Sequence, residues 1–419
     1  MMFSSRISGW GNYPQQEAEV LKPSSCASLH AVVKQEVNLI ARGMGRSYGD
    51  SANASRVLQT SDCDRFIEFN EKTGQLTAEA GISLREILKV IVPRGWFLPV
   101  TPGTSYVTLG GAIASDVHGK NHHVSGTFGQ HVKSISMVLG TGEVVTASED
   151  ENPDLFHATC GGMGLTGVIL RATIQLITIR SSLIHQKTIK ANCIETACEA
   201  FEENSNSTYS VAWIDCLAKG KSLGRSVLIL GEHAEKGDLE LDIKKPVIVP
   251  FNSPSVLLNS LTMKMFNCAY WHKAKHNHAQ TVPLMSYFYP LDAIGNWNKL
   301  YGKSGFLQFQ CVIPKYDGIA NMRKLLTEIS ESGKGSVLAV LKQFGKANSN
   351  LLSFPAEGYT LALDFQFTAS AIVTLHRLEE IVADMGGRVY LTKDAVMQEA
   401  TFKATYPKWE AFELVRERY

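Results

Sequence analysis

Glycine is concentrated in three clusters before residue 170, and this feature most limits what the chain can fold into. Glycine lets the backbone pass close to a ligand, and successive N–H groups can then point inward to hold an anion. Any single cluster is better explained as turns, but three in one region predict a large phosphorylated ligand held by the main chain. The clusters comprise Gly43, Gly45 and Gly49; Gly103, Gly110, Gly111, Gly119, Gly126 and Gly129; and Gly161, Gly162, Gly164 and Gly167.

Helix and strand signals alternate between these clusters. Ser83 and Glu86 form a capping box before an apolar stripe, which predicts a helix over Ser83–Arg94 that ends at Gly95. Further predictions are a hairpin over 135–147 that turns at 140–142, a short helix opened by Asn152 and Pro153, and a strand over 166–177.

Beyond residue 180, strand-like runs dominate and two long amphipathic helices separate them. One helix is predicted around Ile319–Ile329, ending near Gly333, and the other around Ile372–Met385, ending at Gly386. We therefore predict a second, α+β domain built on a mostly antiparallel sheet. The predicted strands are Val211–Ile214, Val227–Leu230, Leu284–Tyr289, Gly305–Ile313, Val337–Leu341 and Tyr359–Phe367.

Residues 244–280 break this order, because they mix proline, asparagine and lysine with apolar side chains that follow no clean period. This composition predicts a long mobile loop that covers the second domain and meets a membrane surface. The apolar residues concerned are Val247, Ile248, Val249, Phe251, Leu257, Leu258 and Phe266. The lysines suited to anionic headgroups are Lys244, Lys245, Lys264, Lys273 and Lys275.

Two predicted strands carry polar side chains at alternate positions. In Gly305–Ile313, Gln308 and Gln310 share one face, while Leu307 and its alternates form an apolar face. Such a polar face either lines a cavity or is the solvated side of a sheet. The corresponding face of Tyr359–Phe367 carries Thr360, Ala362, Asp364 and Gln366.

Charge balance and hydropathy exclude several classes of protein. Lys+Arg number 41 and Asp+Glu number 40, whereas a nucleic-acid binder normally has a basic excess. No apolar run approaches the ~18 residues that span a bilayer, and Met1–Trp10 lacks the apolar segment of a secretory signal. The eight cysteines include no C-x-x-C pair, which predicts reduced thiols in the cytosol.

Two histidine groups have spacings that also occur in metal sites. Neither group has a convincing set of Cys, Asp or Glu partners, so we predict no metal site and interpret 118–123 as a ligand-contacting loop. The groups are His118, His122 and His123, and His272, His276 and His278.

The glycine-rich strings match a flavoprotein family better than a nucleotide fingerprint. Gly43–Asp50 has neither the spacing of G-x-G-x-x-G nor the Gly-Lys-Ser/Thr of a Walker A loop. Ala41–Asp50 resembles the first pyrophosphate loop of vanillyl-alcohol-oxidase (VAO, PCMH-type) flavoproteins, Pro102–Ala114 their second loop, and Gly161–Gly167 their third flavin-contacting segment. Within that superfamily, Asp116–His123, Gly305–Gln310 and Tyr390–Asp394 are similar to the decaprenylphosphoryl-β-D-ribose 2-oxidase family.

This resemblance implies a two-domain α+β fold of the VAO/PCMH type with an antiparallel-sheet substrate domain. The implied divisions are an FAD-binding domain at 1–180, a substrate-binding domain at 181–385 that contains the loop 244–280, and a C-terminal segment at 386–419 that returns to the FAD-binding domain. Members usually extend beyond the position of Tyr419, so the resemblance implies that a terminal helix is missing here, either because this chain is naturally shorter or because it is truncated.

The resemblance also implies FAD as the cofactor. Many relatives attach the flavin ring through a histidine in the first glycine loop, but Tyr48 stands in the comparable stretch here, so we expect non-covalent FAD. His118 is the remaining candidate for a covalent link. The implied FAD contacts are Gly43, Met44, Gly45, Arg46, Ser47, Tyr48, Pro102, Gly103, Thr104, Thr108, Gly110, Gly111, Ala114, Ser115, His118, Val168 and Tyr390.

The implied reaction is oxidation of the C2 hydroxyl of a polyprenyl-phosphate-linked ribofuranose to a 2-keto sugar, with hydride transfer to flavin N5. It would be the first half of a 2-epimerisation that makes the arabinose donor for cell-envelope arabinan. Lys393 is the predicted acceptor of the hydroxyl proton, because a desolvated lysine has a lowered pKa. An ion pair with Asp394 or the flavin is its alternative role.

His118 and Tyr48 complete the predicted catalytic set. Lys120 and Lys342 are cations suited either to the lipid phosphate or to the reduced flavin. The implied substrate contacts are Lys120, Trp213, Gln308, Gln310, Lys342, Thr360 and Lys393.

The implied partner is a short-chain NAD(P)H-dependent reductase that returns hydride to the other face of the sugar. Peripheral membrane contact is also expected, and the location is the cytoplasm or a face of the inner membrane. Two alternatives stay open: a soluble alditol or aldonolactone oxidase of the same superfamily that uses oxygen, and a binding protein that retains flavin without turnover.

Overall fold

Two sheets are built from the segments that surround the glycine clusters. A computed structural model of the chain describes residues 2–35, 38–254, 259–336 and 338–419. The first sheet has the order β1-β2-β4-β3, with β1 Met2–Ser8, β2 Gln15–Leu21, β3 Ile40–Arg42 and β4 Arg56–Gln59. The second is antiparallel, in the order β5-β6-β10-β8-β9, with β5 Phe66–Asn70, β6 Gln75–Glu79, β8 Val132–Val138, β9 Val144–Ala147 and β10 Val168–Gln175.

The helix predicted at Ser83 is confirmed together with its cap. The Ser83 hydroxyl accepts a hydrogen bond from the Glu86 N–H at 3.2 Å, and Gly95 ends the helical segment with φ +77°. The predicted hairpin is β8–β9, and the short helix after Asn152 is also present. The helices of this half are α1 Cys26–Gln35, α2 Leu84–Ile91, α3 Leu109–Ala114, α4 His122–Ser125 and α5 Pro153–Thr159.

An eight-stranded antiparallel sheet forms the second half and confirms the predicted sheet type. Its order is β16-β12-β14-β13-β19-β20-β18-β21. The strands are β12 Leu183–Ala191, β13 Tyr209–Ile214, β14 Ser226–His233, β16 His278–Pro283, β18 Phe306–Pro314, β19 Val340–Phe344, β20 Gly358–Gln366 and β21 Arg388–Val389. Two small sheets pair β7 Trp96–Phe97 with β11 Ile177–Thr178, and β15 Val247–Ile248 with β17 Ile294–Gly295.

The predicted alternation divides the large sheet into an apolar and a polar face. Leu307, Phe309 and Cys311 are buried in one cluster with the helices that carry Met322 and Leu375. Gln308 and Gln310 point away from this cluster, toward the glycine-rich half. The helices beyond residue 180 are α6 Ile194–Glu203, α7 Ser260–Lys273, α8 Leu284–Phe288, α9 Gly318–Ser332, α10 Ala369–Asp384, α11 Glu399–Thr405 and α12 Trp409–Arg418.

Two predictions in this half are wrong. Leu284–Tyr289 is the helix α8 and not a strand, because a short run that is buried on nearly every side shows no period that separates the two. Residues 244–280 are not one loop, since they contain β15, α7 and the start of β16. Asn259 caps α7 by accepting from the Leu261 and Thr262 N–H groups, a signal that was present in the sequence.

The last segment joins both halves. β21 extends the large sheet, while Tyr406, Phe412 and Val415 are buried in the core of the glycine-rich half. The described helices include none that is both long and apolar enough to cross a bilayer. Leu257 and Leu258 of the predicted membrane surface, and Val337 of a predicted strand, lie outside the described residues.

Candidate active site

A cavity of about 760 Å³ lies between the glycine loops and the polar face of the large sheet. This volume falls in the range of small-molecule and cofactor sites. All residues predicted to contact FAD line it, and so do all those predicted to contact the substrate except Thr360. Thr360 is buried beside the cavity and accepts a hydrogen bond from the Gln310 Nε2 at 3.2 Å.

The first and second glycine loops interlock at Thr108. Its hydroxyl accepts from the Gly111 N–H at 3.0 Å and so caps α3. A Cβ added to Gly43 would lie 2.4 Å from the same hydroxyl, so only glycine lets the two loops approach this closely. Beside them, Gly103 has open space around the position of a Cβ.

Several glycines in the clusters serve packing and do not face a ligand, which corrects the single explanation expected for all three. Gly49, Gly126, Gly129, Gly161 and Gly162 do not line the cavity. A Cβ on Gly49 would lie 1.8 Å from the Asp394 carbonyl oxygen, so this glycine lets the C-terminal segment lie against the first loop.

Asp116 holds the loop that carries His118, a role that the sequence did not reveal. The carboxylate is buried and accepts hydrogen bonds from the Gly129 N–H and the Asn348 and Asn350 amides at 2.7–2.9 Å. Ser353 donates a fourth bond at 2.6 Å. The φ of Asp116 is +38°, a left-handed value that these bonds maintain.

Tyr390 and Lys393 reach the same cavity because the chain turns between them. β21 ends at Val389, and the Lys393 N–H donates to the Tyr390 carbonyl at 2.8 Å, so the bend required by the predicted roles is present. The Tyr390 hydroxyl donates to the Ser115 carbonyl at 2.8 Å. The Lys393 Nζ lies 3.8 Å from the centre of the Tyr48 ring, in a cation–π contact.

His118 sits among aromatic rings with one ring nitrogen satisfied. Its Nε2 is 2.9 Å from the Gln310 Nε2, and the Phe344 and Tyr390 ring centres lie 4.8 and 5.1 Å away. Burial, together with the nearby Lys342 charge, lowers the pKa of His118 well below its ordinary value, so the imidazole is neutral at pH 7.

Three lysines face the cavity, and none forms an ion pair with a carboxylate in the described part of the chain. Burial lowers the pKa of Lys393 to about 7, with the charge of Asp364 opposing this shift and that of Lys342 adding to it. Burial also lowers the pKa of Lys120 to about 7 and that of Lys342 to about 8. The Lys120 ammonium donates to the Tyr287 carbonyl and lies 4.2 Å from the centre of the Tyr287 ring. The cavity is therefore suited to an anion.

Apolar and aromatic side chains line the end of the cavity next to α7. Trp213 and Tyr270 pack with their ring centres 4.5 Å apart, and Ile248 and Ile294 complete this end. Ile248 is also 54% exposed, so apolar lining continues from the cavity to the surface.

The residues present fit FAD. Four buried polar atoms of cavity-lining side chains have no hydrogen-bond partner in the described chain, namely Arg46 Nε, His118 Nδ1, the Tyr287 hydroxyl and Gln308 Oε1. Buried polar atoms are almost always paired, so these atoms are suited to bind polar groups of a ligand. Together with the glycine-built loops, they match a ligand that has both a pyrophosphate and a polar ring system.

In the second histidine group, defined above as His272, His276 and His278, two of the rings form hydrogen bonds with the backbone. His272 Nδ1 is 2.8 Å from the Cys268 carbonyl, and His276 Nδ1 accepts from the Lys190 N–H at 3.1 Å. Across the described ranges, no three His, Cys, Asp or Glu side chains come together as metal ligands would.

Comparisons with known proteins agree with this geometry. Residues 13–148 match the family model of the FAD binding domain. The chain is 34% identical to decaprenylphosphoryl-beta-D-ribose oxidase of Mycolicibacterium smegmatis, over 99% of this chain and 94% of that protein. It is 22% identical to L-gulono-1,4-lactone dehydrogenase of Mycobacterium tuberculosis, over 98% of this chain and 95% of that protein. It is 27% identical to D-arabinono-1,4-lactone oxidase of Yarrowia lipolytica, over 44% of this chain and 36% of that protein.

Proposed function

The chain belongs to the family of FAD-dependent oxidoreductases that includes decaprenylphosphoryl-β-D-ribose oxidase, and from this premise we propose that it oxidises the C2 hydroxyl of a polyprenyl-phosphate-linked ribofuranose. The predicted flavoprotein class and the FAD cofactor are confirmed by this membership. The observation that carries the substrate proposal is the group of three lysines without carboxylate partners, in a cavity whose far end is apolar. We assign cofactor binding to 1–180, substrate binding to 181–385 and closure of the site to 386–419.

In the proposed step the C2–H and O–H bonds break and a carbonyl forms at C2. FAD, when bound, supplies a two-electron acceptor for the C2 hydride. Lys393 accepts the hydroxyl proton at Nζ, since an amine with a pKa of about 7 is partly neutral at neutral pH. The neutral His118 and the Gln310 amide position the sugar beside it, and Tyr48 holds the ammonium form of Lys393 by its ring.

Lys120 and Lys342 are assigned to the phosphate of the substrate. Both are partly buried cations whose charged forms are disfavoured in the free protein, so the single negative charge of an entering phosphodiester would favour their charged forms. Trp213 and Tyr270, which line the same cavity, offer an apolar surface for the first prenyl units.

Anaerobic mixing of the holoenzyme with a polyprenyl-phosphate ribofuranose tests the proposal. Loss of the oxidised flavin absorbance at ~450 nm within seconds, at a rate typical of enzyme turnover, is the expected result. The matched controls are the same lipid phosphate without the sugar, free alditols, and L-gulono- and D-arabinono-lactones. Bleaching by the free sugars or lactones alone, with hydrogen peroxide formed in air, would identify a soluble alditol or aldonolactone oxidase. No bleaching by any of them would indicate a flavin-binding protein without turnover.

Non-covalent attachment of FAD is supported by the placement of Tyr48. Its phenol is buried, which raises its pKa above the ordinary value and keeps it protonated, so it is a poor nucleophile. Precipitation in acid should leave a colourless pellet, with all the flavin in the supernatant. A yellow pellet would contradict this, and a flavin-bearing peptide containing His118 would identify the link.

We also propose peripheral attachment to a membrane through β15 and α7. Val247, Phe251 and Leu261 are 75%, 69% and 66% exposed, and Met265 and Phe266 lie on the same helix as Leu261. The exposed lysines of this surface, which would face anionic headgroups, are Lys244, Lys245, Lys264, Lys273 and Lys275.

Sedimentation with anionic vesicles tests the membrane proposal. The double variant Phe251→Ser, Phe266→Ser should bind at least ~10-fold more weakly, because two large apolar side chains no longer enter the bilayer. Val373→Ser is the matched control, since Val373 is 70% exposed on α10, a helix that carries none of the residues of this surface. Equal binding of all three proteins would refute the proposal.

A reductase partner completes the proposed 2-epimerisation. The 2-keto sugar needs hydride on its opposite face, which a short-chain NAD(P)H-dependent reductase would deliver. Adding such a reductase and NADPH to the reaction should convert the ribo into the arabino product. Accumulation of the keto sugar in its presence would argue against this partner class.

A further inference from the structure

A buried carboxylate lies beside Gln308 on the polar face of the large sheet. Asp364 is 1% exposed and stands opposite Gln308 in the β18–β20 register. It accepts hydrogen bonds from the Gln308 Nε2 at 2.5 Å and from the Tyr301 hydroxyl at 3.0 Å. Both donors are neutral, so Asp364 has no ion-pair partner in contact among the described residues.

Most groups that act on this carboxylate line the cavity, and Tyr301 is the exception. Burial raises the pKa of Asp364 to about 6, while the hydrogen bonds from Gln308 and Tyr301 and the charge of Lys393 oppose this rise. Lys342 acts on Lys393 from β19, and both charges act on the neutral His118. The phenol of Tyr48 is close enough to Asp364 to feel its charge, and the Tyr48 ring contacts Lys393. Tyr301 packs against Phe306 with ring centres 4.3 Å apart, which fixes its hydroxyl toward Asp364.

We propose that Asp364 is a positioning residue that keeps Lys393 able to hold the proton taken from the substrate hydroxyl, and that orients Gln308 toward the sugar. This inference rests on the proposed function, since it concerns the same proton transfer. Asp364 does not line the cavity and therefore acts through Lys393 and Gln308.

Two physical effects support this role. A negative charge near Lys393 stabilises the ammonium form and opposes the lowering of the Lys393 pKa by burial and by Lys342. Because the Gln308 Nε2 is held by Asp364, the Gln308 Oε1 is fixed as an acceptor and is buried without a partner in the described chain. That oxygen is suited to accept from a sugar hydroxyl.

The test variant is Asp364→Asn, which keeps a carbonyl oxygen for Gln308 and removes the charge. The absorbance of bound FAD, titrated without substrate between pH 5 and pH 9, should show a step that Lys393→Met abolishes. In Asp364→Asn the midpoint of this step should fall by roughly 1 pH unit, because loss of an opposite charge lowers the proton affinity of an amine. Asp317→Asn, at an exposed turn, is the matched control and should leave the midpoint unchanged.

A second variant keeps the inference testable if Asp364→Asn does not retain FAD. Tyr301→Phe removes one hydrogen bond to the carboxylate, which makes Asp364 easier to protonate, and the midpoint should fall by a smaller amount. A midpoint that stays at the wild-type pH, or rises, in the variants that bind FAD would overturn the inference. The acid limb of the flavin-reduction rate should shift in the same direction as the titration. If no sugar substrate reduces even the wild-type flavin, the proposed function fails while the titration still decides the role of Asp364.

Discussion

The two walls of the cavity are built in different ways. The wall proposed to bind FAD, called here the cofactor wall, consists mainly of backbone in glycine loops, where Thr108 and the small residues around it set how closely the loops approach. The substrate wall consists of side chains on alternate positions of antiparallel strands, with lysines arriving from three separate segments. A wall made of closely packed backbone leaves little room for added atoms, so a substitution there disturbs the loops. On a wall made of side chains, a substitution can remove a functional group while the sheet stays folded. Substitutions on the two walls should therefore impair the protein in different ways: those on the cofactor wall weaken FAD binding, and those on the substrate wall slow flavin reduction.

The largest effect is expected on the substrate wall at Lys393. Lys393→Met should leave FAD bound but slow flavin reduction by about 10²–10⁴-fold, because a positioned proton acceptor is lost. Stopped-flow absorbance with the polyprenyl-phosphate ribofuranose measures this, with the exposed Lys219→Met as control. Reduction at the wild-type rate would show that Lys393 is not the acceptor. Loss of FAD itself would instead assign Lys393 to cofactor binding.

On the apolar face of the same sheet, a buried carboxylate allows the effect of burial to be measured apart from the proposed chemistry. Glu379 on α10 is 2% exposed, and burial, with Asp394 and Glu380 nearby, raises its pKa to about 8. Between about pH 4 and pH 8 the unfolded chain releases this proton while the folded chain keeps it, so stability falls as pH rises. Glu379→Gln should remove this dependence and stabilise the protein by about 2–4 kcal/mol near pH 8.

Chemical unfolding at pH 5 and pH 8 measures the Glu379 effect, and the rate of flavin reduction should stay at the wild-type value. An equal change in stability at both pH values would contradict the titration of Glu379. A changed reduction rate would mean that the helical face also takes part in the chemistry.

A smaller effect is expected on the cofactor wall at Gly43. Gly43→Ala places a methyl group 2.4 Å from the Thr108 hydroxyl, so the two loops must separate and the cap on α3 weakens. Overpacking of this kind costs about 1–2 kcal/mol, which corresponds to FAD binding roughly 5–30-fold weaker. Fluorescence titration of the apoprotein with FAD measures the affinity.

Gly140→Ala is the control for Gly43, because nothing lies within 4 Å of its added Cβ. Equal affinity of the two variants would show that the loops can move apart freely. In that case the cofactor wall would tolerate added atoms as well as the substrate wall does.

Local patterns predicted much of both walls. The alternation of Gln308 and Gln310 with apolar residues identified the polar face, and the glycine spacing identified the loops around the cavity. The strand predicted at Leu284–Tyr289 failed because burial on nearly all sides removes the period that distinguishes a strand from a helix. α7 was missed for the opposite reason, since Leu261, Met265 and Phe266 are exposed and leave no clean apolar stripe.

By itself, the sequence determined the glycine loops, the two-faced sheet and the candidate chemical groups, because each depends on spacings within one segment. Only the tertiary structure determined the neighbours, the burial and the pKa values of those groups. The cavity brings Lys393 and Lys342 together, the buried Asp364 lies beside Gln308, and Asp116 accepts hydrogen bonds from residues far along the chain. Burial and charge–charge distance set the pKa of each lysine, and both quantities depend on segments that are distant in sequence.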